Sequence, residues 1–155
     1  MSRSFALAFA LATAATAAEA EAEAEDAPGF EIRLVPETVA AEVGSKGAVS
    51  LTIAPSPGYR IDRDGPLRIG VSVSPETGLG LPRRRYRRSE AADEQAEAPR
   101  FDLRYQADAA GDYQLAVEVR FWLCRRHTCR AIKEQRRVGV VVTAPAAPPD
   151  AAPPR

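Results

Sequence analysis

From Phe30 onward the apolar residues return at every second position, and this period constrains the fold more than any other feature of the chain. A period of two suits a strand with one buried and one wet face. It does not suit a helix, whose apolar stripe repeats about every 3.6 residues. Seven runs follow the rule: Phe30, Ile32 and Leu34; Val39, Ala41 and Val43; Val49, Leu51 and Ile53; Leu67, Ile69, Val71 and Val73; Phe101, Leu103 and Tyr105; Tyr113 to Leu123 on the odd numbers; and Ile132 followed by Val138, Val140 and Val142. Turn-forming clusters separate them, among them Gly44-Ser45-Lys46-Gly47, Pro55-Ser56-Pro57-Gly58, Asp64-Gly65-Pro66 and Ala110-Gly111-Asp112. No long amphipathic helix interrupts the series. The expected fold is all-β, an immunoglobulin-like antiparallel β-sandwich of about seven strands over residues 30–143, with a small barrel as the competing closure.

One stretch departs from the period. Arg83 to Arg88 reads RRRYRR, and Ser89 to Ala98 reads SEAADEQAEA. Residues 83–99 are expected to form a long, charged, solvated loop between strands, with one short helix capped by Ser89 and no share in the core.

The ends differ in kind from the middle. Arg3, the apolar run Phe5 to Leu11 and the small residues near Ala15 to Ala18 have the pattern of a secretory signal peptide over residues 1–18. Residues 19–29 form an acidic Ala/Glu spacer, and residues 144–155 form a Pro/Ala-rich disordered tail with nothing to pack. Export across the inner membrane to the periplasm is the expectation. Beyond the leader, no stretch has the roughly 20 apolar residues that a spanning helix needs.

Composition limits the chemistry. The chain of 155 residues has 21 basic and 21 acidic residues, one His and two Cys. It has too few ligands for a three-histidine or four-cysteine zinc site, and it shows no Gly-rich phosphate loop. No cofactor is expected. Residues 27–155 carry 20 basic and 16 acidic groups, net +4. Because 19 of the 21 basic residues are Arg, genomic base composition is a sufficient explanation, and no nucleic-acid partner is expected.

The chemistry-bearing residues that remain are Cys124 and Cys129, at the join of the last two runs. The four residues between them suit a hairpin loop, which sets the cysteines opposite one another within disulfide reach. In an exported protein such a pair oxidises. The core parity is odd before the loop and even after it. Cys124 therefore falls with Arg120 and Trp122, Cys129 falls with Lys133 and Arg137, and both sulfurs are expected on the wet face. Closing so short a loop is worth only about 2 kcal/mol. Arg125, Arg126, His127 and Arg130 flank the pair, and positive charge favours the thiolate that exchanges disulfides. Three readings stand side by side: an inert staple, a redox pair, and a soft-metal set of Cys124, His127 and Cys129.

The Phe121-to-Cys129 hairpin with the Val-rich strand after it, the stretch Pro57-Gly58-Tyr59-Arg60-Ile61 and the turn Gly111-Asp112-Tyr113 resemble the N-terminal periplasmic domain of DsbD-type thiol:disulfide interchange proteins. The cysteine spacing is one residue shorter than that family leads one to expect. The resemblance implies an immunoglobulin-like domain in which Cys124 and Cys129 pass electrons to a protein partner. No transmembrane donor follows in this sequence, so the partner would be a periplasmic thiol/disulfide protein or a membrane electron donor acting in trans. The alternative is a non-enzymatic interaction domain with a structural disulfide.

Overall fold

The computed structural model describes residues 28–145. The signal-peptide reading, residues 19–27 of the spacer and residues 146–155 of the tail lie outside them. Ten strands follow in order: β1 (Phe30–Val35), β2 (Thr38–Glu42), β3 (Lys46–Pro55), β4 (Tyr59–Ile61), β5 (Arg68–Ser74), β6 (Leu79–Gly80), β7 (Arg85–Arg87), β8 (Arg100–Ala107), β9 (Gly111–Arg125) and β10 (Thr128–Thr143). One sheet has the order β1-β3-β8-β6. The other has the order β2-β10-β9-β5-β7, with β4 also paired to β9.

This is the expected immunoglobulin-like β-sandwich. Every pairing is antiparallel except β2 with β10. Pro36 has no N–H to continue the β1 ladder. Beyond it the chain crosses to the second sheet and runs parallel to the end of β10, from Thr38 opposite Gly139 to Glu42 opposite Thr143. The seven apolar runs correspond to β1, β2, β3, β5, β8, β9 and β10. The three additional strands, β4, β6 and β7, have three, two and three residues.

The core lies between the sheets. Val49, Leu51, Ile53, Phe101 and Leu103 line one side; Ile69, Val71, Leu115, Val117, Val119, Phe121, Val138 and Val140 line the other. Phe30 meets Phe121 edge-on, with ring centroids 5.2 Å apart. Full burial of one such side chain contributes about 1.5–3 kcal/mol. Near the start of β9, Tyr113 is buried and its hydroxyl donates to the Ala109 carbonyl at 3.0 Å, the tyrosine corner of this fold. Gly78 makes room for that hydroxyl: it has φ +100°, and a Cβ built there would collide with Tyr113 Oη.

The segment 83–99 corrects its sequence reading. Residues 85–87 form β7 on the edge of the second sheet, paired with β5 from Arg68 opposite Arg87 to Gly70 opposite Arg85. Tyr86, only 6% exposed, belongs to the core and stacks edge-on with Phe101 at 6.4 Å. A 3-10 helix over Arg88–Glu90 follows. Its cap is Arg87 rather than Ser89, with the Arg87 N–H donating to Glu90 Oε2 at 2.8 Å. A three-residue strand holds one inward position, so a single aromatic among arginines carries no visible period.

Candidate functional site

The hairpin β9–β10 is the longest strand pairing among the described residues. Its register runs unbroken from Thr128 opposite Arg125 to Val142 opposite Gly111, with no bulge to shift a side chain across the sheet. Arg126 and His127 form the two-residue tip. Arg126 adopts φ +54°, the positive value that a two-residue hairpin turn requires at its first central position. Cys124 and Cys129 are therefore directly opposed, their Cα atoms 4.0 Å apart, and they are disulfide-bonded.

The two cysteines differ in exposure. Cys129 is exposed, as parity demanded, whereas Cys124 is only 1% exposed, and the expectation of two wet sulfurs fails there. β9 lies between two neighbours at this point: β10 on one side and β4 on the other, with Arg60 opposite Cys124. The Arg60 guanidinium reaches the Arg126 carbonyl at 3.3 Å. Trp122, 41% exposed, stands two residues before Cys124 on the same face. Period two assigns a face, but neighbouring strands and loops decide whether that face is covered.

The covering segment brings a residue that sequence reasoning missed. β4 and β5 both pair with β9, and between them residues 62–67 loop out opposite Phe121 and Trp122. Asp62 opens this excursion. Its N–H donates to the Trp122 carbonyl at 2.9 Å, its carbonyl accepts from Arg88 Nη2 at 3.2 Å, and its Oδ1 accepts from the Asp64 N–H at 3.2 Å. Gly65 lets the excursion close over it, since a Cβ there would stand 2.9 Å from Asp62 Oδ2. Thus fixed, a carboxylate oxygen of Asp62 and the Sγ atoms of Cys124 and Cys129 all lie within 4.8 Å of one another. Among the described residues this group takes in Asp62 and not His127, so the proposed ligand set Cys124, His127 and Cys129 is not brought together. The bonded sulfurs, moreover, are not thiolates.

Arg125 and Arg130, beside the pair, have partners of their own. Arg125 lies 5.3 Å from the centroid of the Tyr59 ring, and Arg130 donates to the Pro28 carbonyl at 2.5 Å. Arg63 donates to the Gln95 carbonyl at 3.0 Å. Arg88 is partly buried beneath the excursion. Burial lowers its pKa and Arg63 adds to the effect, while Asp62 and Glu94 oppose it. The segment 83–99 thus props the loop that carries Asp62. The only hint of Asp62 in the sequence is its place two residues before the turn Asp64-Gly65-Pro66, where an Asp side chain can cap the turn.

Beyond Trp122 the same face continues as a shallow hollow lined by Pro66, Trp122, Ala131 and Ile132, with Arg68, Arg120 and Lys133 at its rim. Glu118 accepts from Arg120 Nε at 2.7 Å and pairs with Lys133 Nζ at 3.3 Å. These hydrogen bonds, that from Lys133 first, hold its carboxyl below the usual range.

No protein-family profile matches this chain, and no curated protein matches it. Solved structures do. Domains 4 and 5 of the S-layer protein SbsC match 74% of this chain at 11% identity with a TM-score of 0.48, and this chain spans 45% of that one. A conjugative transposon lipoprotein from Bacteroides eggerthii matches 72% of this chain and 98% of its own at 12% identity, with a TM-score of 0.42. The CooA pilin subunit of enterotoxigenic Escherichia coli matches 75% of this chain and 99% of its own at 13% identity, with a TM-score of 0.33. Among the described residues, no helix is long and apolar enough to cross a membrane.

Proposed function

We propose that this protein is an exported, periplasmic thiol:disulfide interchange module whose exchanging sulfur is Cys129. The observation that carries the reading is the unequal exposure of the two cysteines, Cys124 buried and Cys129 exposed, at the end of a hairpin of unbroken register. Exchange requires a partner thiolate to reach one sulfur while the other departs. Attack on Cys129 Sγ forms a bond between the partner's sulfur and Sγ, breaks the Cys124–Cys129 bond and leaves the electron pair on Cys124 Sγ, which takes a proton from water. A second thiol of the partner, as thiolate, then attacks the partner's own sulfur and releases Cys129, which is protonated in turn. The domain has gained two electrons and two protons, and the partner dithiol has become a disulfide. The reverse sequence passes the electrons on. The resemblance to DsbD-type domains supports the same roles, with the electron donor in trans.

The non-enzymatic reading, an interaction domain with a structural disulfide, draws on the exposed Trp122 and the apolar hollow beside it. The reduction potential separates the two. Equilibration of the pair with glutathione buffers, followed by alkylation and mass measurement, should place it above about −300 mV and within reach of a thioredoxin-like dithiol. A bond that stays oxidised below that value is a staple.

A further inference from the structure

A carboxylate lies beside the disulfide, where the hairpin sequence alone suggests only cations. We propose that Asp62 governs the protonation of the reduced pair: its carboxylate, fixed beside both sulfurs, disfavours thiolate on Cys124 and Cys129 and keeps them as thiols at neutral pH. The inference concerns the site of the proposed exchange and takes its biological meaning from that reading, but its measurement does not depend on it.

Three observations support it. First, the carboxylate oxygen and both Sγ atoms lie within 4.8 Å of one another. Second, Asp62 is held in that place by hydrogen bonds to its N–H, its carbonyl and its Oδ1. Third, five of the surrounding guanidiniums make their hydrogen bonds or ring contacts with groups other than the sulfurs: Arg60 with the Arg126 carbonyl, Arg125 with Tyr59, Arg130 with the Pro28 carbonyl, Arg63 with the Gln95 carbonyl and Arg88 with the backbone of Asp62. His127 and Arg126 form the hairpin tip, and Asp64 follows in the excursion. Among the acidic and histidine side chains of the described residues, Asp62 is the one within 4.8 Å of both sulfurs.

In exchange, each sulfur carries negative charge when it departs or attacks. A carboxylate at this range opposes that charge by about half a pH unit in a water-like medium and about two units in a protein-like one. The reduced pair then reacts slowly with small oxidants and electrophiles.

The test uses the full chain, reduced, as wild type and as Asp62→Asn, Asp62→Glu and Asp64→Asn. Thiolate absorbance at 240 nm is followed against pH, and the rate of alkylation by iodoacetamide is measured at pH 7. Asn keeps the Oδ1 acceptor for the Asp64 N–H, and Asp62→Ser, whose hydroxyl makes the same turn, repeats the measurement if the Asn variant does not fold. Asp62→Asn should lower the thiolate midpoint by about half to two pH units, with alkylation faster by about three- to a hundredfold. Asp62→Glu and Asp64→Asn should stay near the wild type. An unchanged midpoint in Asp62→Asn, or an equal shift in Asp64→Asn, overturns the inference. Glutathione exchange, measured on the same proteins, tests the interchange reading separately. A midpoint that moves in a domain that does not exchange leaves Asp62 its role and removes the function.

Discussion

The two ends of the β9–β10 ribbon are built on different principles. At the Tyr113 end, the inward residues Tyr113, Leu115, Val138, Val140 and Val142 are all buried, and a hydroxyl-to-carbonyl bond locks the corner. There, alternation and burial coincide. At the cysteine end the period still sets the face, but Cys124 is buried on the outward parity while its partner Cys129 is exposed. There β4, a strand of three residues, pairs with β9, and the excursion opened by Asp62 brings a carboxylate beside both sulfurs. One end is a core problem solved by side-chain period. The other is a surface site assembled from chain segments distant in sequence.

The largest effect should come from the segment that props the cysteine end. Replacing residues 83–98 with a short Gly/Ser linker removes Tyr86 from the core and Arg88 from beneath Asp62. A loss of about 5 kcal/mol is expected in denaturant unfolding, because deleting one buried aromatic costs about 3–5 kcal/mol and the Arg88 contact goes with it. A loss below about 1 kcal/mol would mean that the segment is the solvated loop its charges suggest.

Removing the disulfide comes next. Cys124→Ala with Cys129→Ala should cost about 2 kcal/mol, the closure entropy of so short a loop. The Ser–Ser variant should cost about 1–3 kcal/mol more, since Cys124 is buried and a hydroxyl there is desolvated. Equal losses for the two variants would place Cys124 in water. At the opposite end, Tyr113→Phe removes one hydrogen bond and should cost about 1 kcal/mol while leaving thiol chemistry unchanged. A changed rate of thiol alkylation in that variant would show that the two ends are coupled.

The smallest effect concerns pH. Glu118 has a folded-state pKa below its ordinary value through Lys133 and Arg120. Its contribution to stability is therefore present above the unfolded carboxylate pKa and is lost as pH falls through the depressed folded value. Glu118→Gln should lack this acid-side loss while matching the wild type in thiol chemistry, and a carboxyl titration by NMR should find Glu118 below the ordinary range. A Glu118 that titrates at the ordinary value removes the effect.

The sandwich was legible because seven runs alternate long enough for period two to show. β4, β6 and β7 were not, since two or three residues cannot display a period, and Tyr86 among arginines looks like surface. The hairpin, its register and the disulfide followed from two parities and a spacing. The burial of Cys124 and the approach of Asp62 did not. Both depend on a segment some 60 residues earlier in the chain that pairs with β9 through three residues, and no spacing in the sequence links Asp62 to the cysteines.

Whether the unequal exposure of the two cysteines sets their reactivity is tested most directly by single-cysteine proteins. Cys124→Ala leaves Cys129 alone, and Cys129→Ala leaves Cys124 alone; each is mixed with glutathione disulfide at pH 8, and mixed-disulfide formation is followed by mass. Cys129 should react at least tenfold faster than Cys124, and unfolding in denaturant should remove the difference. Equal rates in the folded proteins, or a faster Cys124, would contradict Cys129 as the exchanging sulfur.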